Sequence, residues 1–417
     1  MKKILRASLT SFVNMKANMS RLIVVNGMPI DIDRRATIKQ GQNTILAEYS
    51  KYWDEIIVVG PLNTKRKSSR IEVMPSAIAK NVFLLPLEFY NKSWNARLLH
   101  ILFGGKRCLR FAENNCMLKG NNVFYFMLPN FWTLRLAVRL LPHVSNSCFY
   151  MASDIDETIY NRSLFLYPFA RIITGIQMSL MKNKTLIATG HIIAEKYSNK
   201  CATHPYYSTT HNTTDRREPK NSYFNLLYVG GLYPHKRVID LLIAVNSLKN
   251  DFAAIRCTIV GSGSEYENLK NYVLRNDLSE YVSFKGWIND RIELTNCYSK
   301  ADFLITPSLA EGTPRVLPEA MSLGVIPIAV GSVSSNNHII THRKNGALVA
   351  AKSPEDISNE LRNYFNNPSL YRHNLECIYD YAVNHTLSKE IKEAHKFLFK
   401  HLEINSSVKQ KKLNLKE

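Results

Sequence analysis

The chain has 417 residues, 45% hydrophobic and 21% charged, a globular composition long enough for two or three domains and unlike a disordered or fibrous chain. Its seven cysteines form no CxxC pair, which argues against a disulfide framework or a zinc site and for a reducing compartment. The net charge of +20 is lopsided, residues 1–200 holding 28 Lys and Arg against 12 Asp and Glu and residues 201–417 holding 26 against 22; such a basic half suits nucleic acid, anionic lipid or a phosphorylated substrate.

Residues 1–20 begin like a signal peptide, but Arg6 interrupts the apolar run and no small-residue cleavage site follows before Met19. They are expected to be a flexible leader. The next domain, 21–205, alternates short apolar strands with helical sequence, the mark of parallel βαβ units. Its strand candidates are RLIVVNG (21–27), DEIIVVGP (54–61), NVFLLPL (81–87), NVFYFML (122–128), SCFYMAS (147–153) and TLIATG (185–190). Gly41 falls in the first strand-to-helix loop. Two segments, KSWNARLLHILFGGKRCLRF (92–111) and LRLAVRLLPHV (134–144), mix apolar and basic residues. They suit a membrane surface and equally a core-packed amphipathic helix with a solvated basic face. No segment is expected to span a membrane. SLFLYPFARIITGIQMSLM (163–181) is long enough but contains Pro168, Arg171 and Gln177, which predicts a buried helix instead.

Residues 206–223 are polar, lack apolar periodicity and form the expected interdomain linker. A second α/β series follows over 224–384, with strands FNLLYVGG (224–231), IRCTIVGSG (255–263), YVSFKGW (281–287), ADFLITPS (301–308) and VIPIAVG (325–331). An amphipathic helix over 385–404, placed to pack back on the first domain, and a disordered basic tail over 405–417 complete the chain. The inferred architecture is two Rossmann-like halves around a hinge.

Three constellations in the second half suit a phosphorylated ligand. Gly230 and Gly231 end a strand and precede Lys236 and Arg237, so that backbone and cations can approach a phosphate; the same cations also fit a surface turn. Gly261 and Gly263 follow the next strand, without the full GxGxxG spacing. The third is EGTPRVLPEAM (311–321). Eight residues of unbroken helix would turn Glu319 roughly 80° away from Glu311, so one helix cannot aim both. Pro318 is tolerated in a first helical turn, which predicts that the helix opens there. Residues 312–317, beginning at Gly312, are then a loop with outward amides. Glu311 and Glu319 flank that anion site as acceptors for ligand hydroxyls. Two Asp-Ile-Asp triplets, 31–33 and 154–156, lie outside this half. HIITH (338–342) puts two histidines at i, i+4 on an expected helix, a metal-compatible spacing with no third ligand in sight.

The ordered blocks VGGLYPHKR, IVGSGSEYENL, VSFKGWI, ADFLITPSLAEGTPRVLPEAMSLGVIPIAVG and HRKNGALVAAKSPEDI resemble the retaining family-4 glycosyltransferases (glycosyl transferases group 1) of the GT-B fold over about 225–385. The first half resembles them only in its strand-loop-helix plan. The resemblance implies an α/β, GT-B chain of two Rossmann-like domains facing each other across a cleft. It assigns Glu311 to the donor-sugar hydroxyls, Glu319 to the nucleotide ribose and Lys236 to the donor diphosphate. Lys285, Gly286 and the Gly261–Gly263 turn would lie near the base, with the amides of Val316 and Leu317 facing the phosphates or sugar. The arginine that the family carries five residues before the lysine is absent, Gly231 standing in its place; Arg237 is a substitute contact. Asp154 stands at a strand end where relatives often have histidine, and fits acceptor handling or a helix cap. Gly41 lets its loop approach the transferred sugar, or is an ordinary turn glycine. The implied chemistry is front-face displacement with retention, without a metal.

The leading expectation is a transferase that moves a hexose-type sugar from a nucleotide-sugar donor to a lipid-linked or polysaccharide acceptor, in surface-glycan assembly. It would work at the cytoplasmic face of an anionic membrane. The alternatives are a GT-B epimerase and a catalytically silent partner in a glycan-assembly complex, the latter favoured by Gly231. No nucleic-acid recognition motif accompanies the charge.

Overall fold

The computed structural model describes residues 19–27, 30, 40–62, 74–76, 78–89, 109, 112–113, 118, 121–153, 167–220, 224–311 and 314–404. These form two compact α/β units. Unit 1 holds the described residues of 19–153, 169–206 and 391–404; unit 2 holds 167–168 and 207–390.

Unit 1 is built on an eight-stranded sheet: β1 (Arg21–Val25), β2 (Glu55–Leu62), β3 (Met74–Pro75), β4 (Val82–Phe89), β5 (Asn122–Leu128), β6 (Asn146–Met151), β7 (Thr185–Thr189) and β8 (Ala202–Tyr206), in the order β3-β4-β2-β1-β5-β6-β7-β8. Every pairing is parallel except β3 with β4. Its helices are α1 (Gln40–Tyr49), α2 (Phe131–Leu140), α3 (Tyr167–Met181) and α4 (Gly190–Ser198). Strands β1 and β7 are buried from end to end, which is why they are continuous apolar runs rather than alternating ones. On one face of the sheet Phe124, Phe126 and Phe149 stack, and Leu134, Ala137 and Met181 of the helices join the same core.

Unit 2 carries a six-stranded, wholly parallel sheet: β9 (Asn225–Val229), β10 (Arg256–Val260), β11 (Val282–Gly286), β12 (Phe303–Thr306), β13 (Ile326–Val330) and β14 (Ala347–Val349), ordered β11-β10-β9-β12-β13-β14. The helices are α5 (Val238–Leu248), α6 (Tyr266–Arg275), α7 (Arg291–Lys300), α8 (Val316–Ser322), α9 (Ser334–Asn337), α10 (Pro354–Asn366) and α11 (Pro368–Asn384). The last helix, α12 (Leu387–His401), starts in unit 2 and from Ile391 belongs to unit 1. Strand order reverses between β9 and β12, and the crevice outside the strand ends at such a switch point is where open α/β sheets bind ligands.

Several expectations are corrected. Ser20 belongs to the fold rather than to a leader: it is fully buried, and its amide and hydroxyl both donate to Asp54 Oδ2, at 2.8 and 2.9 Å. The expected linker is a strap on unit 2. Ser208 to His211 are buried, Arg217 donates to the Ala301 and Tyr298 carbonyls at 2.9 and 3.0 Å, and Lys220 pairs with the fully buried Asp302 at 2.6 Å. Polar sequence here reflects hydrogen bonding to unit 2 at these positions, while Asn212, Thr213, Asp215, Arg216 and Glu218 face solvent. Helix α3 is not a buried helix, since Ile172 is 62% exposed while Thr174, Gln177 and Met181 face inward. Gly41 lies in the first turn of α1 rather than in a loop. The histidines of HIITH sit beyond the end of α9, not on a helix. The segment 92–108, the leader up to residue 18, the tail 405–417, Asp154, Gly312, and the Asp-Ile-Asp triplets lie outside the described residues. Among the described residues no helix is long and apolar enough to cross a membrane.

Candidate active site

The loops that leave β9 and β12 meet beside the switch point. Leaving β9, the chain makes a short 3-10 turn, Pro234–Lys236, before α5. The amide of Leu309, on the loop after β12, donates to the His235 carbonyl at 2.9 Å and sews the two loops together. Lys236 Nζ then reaches Glu311 Oε1 at 2.6 Å, with each side chain 18% exposed. A half-desolvated ammonium and carboxylate are thereby held at the mouth of the sheet, where each has further hydrogen-bonding capacity to offer a ligand.

Tyr228, at the end of β9, donates its hydroxyl to the Gly231 carbonyl at 2.8 Å. Burial, with the Glu311 charge adding to it, pushes the Tyr228 phenol well up, so it stays a neutral donor. Sequence reasoning missed this tyrosine, which lies three residues upstream of the carbonyl it holds. Tyr228 thereby ties the Gly231 carbonyl back to β9, within range of the Glu311 charge.

Gly261 and Gly263 have a different cause from the one expected. A Cβ on Gly261 would come within 1.8 Å of the Gly230 carbonyl oxygen, and one on Gly263 within 2.1 Å of the Leu232 oxygen. Gly261 also has φ +150°, a conformation that L side chains rarely adopt. The loop after β10 is thus pressed on the loop after β9, with Gly230 donating to Val260 O at 3.0 Å and Leu232 to Ser262 O at 2.9 Å. These glycines shape the loop after β9 by packing a second loop behind it. Gly286 closes the series by accepting from the Gly261 amide at 2.8 Å, and Lys285 beside it is exposed on β11.

Arg237 is not free to replace the missing family arginine. It caps α5 in the left-handed conformation (φ +51°) and forks onto Asp240, Nε to Oδ2 at 3.0 Å and Nη2 to Oδ1 at 2.5 Å. Asp240 is 1% exposed, so this cation compensates a buried carboxylate whose loss of partner would be costly.

Helix α8 opens at Val316, two residues before the expected start, with Pro318 third. Proline fits there because the first amides of a helix have no intrahelical acceptor. The Leu317 amide donates to Pro314 O at 3.1 Å and is already engaged, contrary to the expectation that it faces a ligand. Glu319 lies in the same first turn, its side chain 13% exposed. Thr210 donates its hydroxyl to Glu319 Oε1; Arg291 Nη1 stands 3.6 Å from the same oxygen, and Tyr298 OH is 3.5 Å from Oε2. Glu319 thus has its own set of partners, separate from the Lys236–Glu311 pair. Thr210 was hidden in the presumed linker. Arg291 and Tyr298 are seven apart, a two-turn spacing that puts both on one face of α7 and was legible in principle.

Residues 212–377 match the family described as glycosyl transferases group 1. An uncharacterized glycosyltransferase of Haemophilus influenzae is 32% identical over 158 residues, 37% of this chain and 44% of that protein. The Escherichia coli UDP-Gal:alpha-D-GlcNAc-diphosphoundecaprenol alpha-1,3-galactosyltransferase is 30% identical over 148 residues, 34% of this chain and 36% of that protein. The matches therefore span less than half the length of these relatives. Among solved structures, sucrose-phosphate synthase from Thermosynechococcus elongatus superposes with a TM-score of 0.69 at 14% identity, covering 91% of this chain and 99% of that one. The Lys236–Glu311 pair, Glu319 and the paired glycine loops all fall inside the matched segment, and residues 212–377 are accordingly a glycosyl transferases group 1 domain in a chain of GT-B fold.

Proposed function

We propose that the protein is a retaining glycosyltransferase that moves a hexose-type sugar from a nucleotide-sugar donor to a lipid-linked or polysaccharide acceptor. The observation that carries this reading is the Lys236–Glu311 ion pair of 2.6 Å at the switch point of unit 2, inside the family-matched segment. In it Lys236 neutralises the donor diphosphate, Glu311 accepts from the sugar hydroxyls and Glu319 accepts from the ribose. Charge develops on the leaving phosphate in the transition state, and a fixed ammonium in a partly desolvated site stabilises it. The departing phosphate takes the acceptor hydroxyl proton, and no metal is required. The ion pair supports this by keeping both side chains aimed before the donor arrives.

The Escherichia coli relative, whose name carries UDP-Gal and a diphosphoundecaprenol acceptor, supports a hexose donor and a lipid-linked acceptor. The excess of 28 Lys and Arg over 12 Asp and Glu in residues 1–200 supports approach to an anionic, inner-face membrane surface. A second reading, a silent GT-B partner in a glycan-assembly complex, draws on Gly231 and on the commitment of Arg237 to Asp240, which leave the diphosphate one cation fewer than the family supplies.

The test is nucleoside-diphosphate release from UDP-, GDP- and ADP-sugars, with membrane extract as acceptor. Release from one donor, dependent on extract and lost by a factor of about 100 or more in Glu311→Ala, is the expected result. No release, together with no calorimetric binding of any nucleotide, would remove the transferase reading and leave the silent partner.

A further inference from the structure

The Thr210 hydroxyl is used in both directions. Arg291 Nη2 lies 2.9 Å from Thr210 Oγ1, and a guanidinium can only donate, so the oxygen accepts from it. The single hydroxyl proton of Thr210 is therefore committed to its other neighbour, Glu319 Oε1. Arg291 also faces that carboxylate oxygen directly, at 3.6 Å. Threonine, arginine and Oε1 form a closed triangle, while among the described residues Oε2 has only the long contact of 3.5 Å from Tyr298. The carboxylate is asymmetric: one oxygen is consumed by the chain and the other keeps accepting capacity.

We propose that Thr210 and Arg291 are positioning residues that lock the Glu319 carboxylate through Oε1 and thereby present Oε2 to the ribose hydroxyls of the donor nucleotide. This rests on the reading of unit 2 as a nucleotide-sugar site and goes beyond it by naming residues outside the family blocks. Thr210 precedes the matched segment, and the arginine lies between two of the sequence blocks. His211 next door is a buried imidazole whose Nε2 lies 2.9 Å from the Ala382 carbonyl, so the strap that carries Thr210 is itself pinned on α11. A hydroxyl on a pinned strap fixes a carboxylate rotamer more tightly than a long exposed arginine alone, because the threonine has fewer torsions to immobilise.

The experiment is calorimetric titration of the full chain with UDP, GDP and ADP, and then with the 2′,3′-dideoxy form of whichever binds. Thr210→Val keeps shape but removes both hydrogen-bonding directions; Thr210→Ser keeps them. Thr210→Val is expected to weaken the ribonucleotide about tenfold, the scale of one charge-assisted hydrogen bond, and the dideoxynucleotide less than twofold, with Thr210→Ser restoring wild-type affinity. Arg291→Met is expected to follow Thr210→Val, and Arg291→Lys to recover only part, a point charge replacing a fork. Equal weakening of both nucleotides would mean a merely structural role and overturn the proposal. Wild-type affinity in Thr210→Val would overturn it too, while leaving the nucleotide site intact. If wild type binds none of the three nucleotides, the underlying functional reading falls and the proposal with it.

Discussion

At the scale of single residues, the site turns on how each charge is already occupied. Lys236 and Glu311 hold one another at 2.6 Å, whereas Arg237 is spent on the buried Asp240. The family arginine position is Gly231, whose Cβ would come 2.6 Å from the Tyr233 ring. That ring is 47% exposed and can swing aside. Gly231→Arg is therefore expected to fold and to bind nucleoside diphosphate several-fold more tightly by adding a phosphate contact, which a calorimetric titration against wild type will read. Unchanged affinity would show that position 231 does not face the phosphate here. The two glutamates were readable in the sequence because proline at a fixed offset demands a helix start between them. Their partners were not, since Thr210 and Arg291 are 81 residues apart and meet only through folding.

At the scale of elements, the glycine-rich turns were legible as turns but not for their cause. Close approach of backbone to backbone, rather than backbone to ligand, requires Gly261 and Gly263. Helix α12 offers a separate case. Its amphipathic pattern announced a buried face, and that face carries His395, which accepts from Trp53 Nε1 through Nε2 at 2.6 Å and so bears its proton on Nδ1, 2.8 Å from the Ile391 carbonyl. Tyr49 and Tyr52 complete its aromatic surroundings. Burial pushes the His395 pKa down to about 4, from an unfolded value near 6.5. The unfolded chain takes up the proton first as pH falls, so this group's stability contribution is complete above about pH 6.5 and is lost on descending toward pH 4, by roughly 3 kcal/mol in all. His395→Gln, which keeps an acceptor for Trp53 and does not titrate, is expected to flatten that part of the stability curve. Urea midpoints between pH 7 and 4.5 will decide, and parallel curves for the two proteins would refute the assignment.

At the scale of the whole molecule, charge and topology act separately. The excess of positive charge falls in residues 1–200, outside the family-matched segment 212–377, so the proposed membrane approach and the proposed donor site draw on different stretches of chain. The expected outcome is sedimentation with phosphatidylserine-containing vesicles at low salt and release by about 0.5 M salt, where screening is nearly complete within a few ångströms. Equal retention by RNA would point to unspecific charge instead.

Periodicity and punctuation in the sequence alone determined two parallel α/β series, because a strand buried on both faces must be a continuous apolar run and its helix must start and stop at capping residues. They also determined that Glu311 and Glu319 cannot share a helix face. Only the tertiary structure decided that β9 and β12 are neighbours at the reversal of strand order. That adjacency is a long-range hydrogen-bonding choice with no local signature, and it is what brings Lys236 to Glu311 and turns an apparent linker into the strap that holds Glu319.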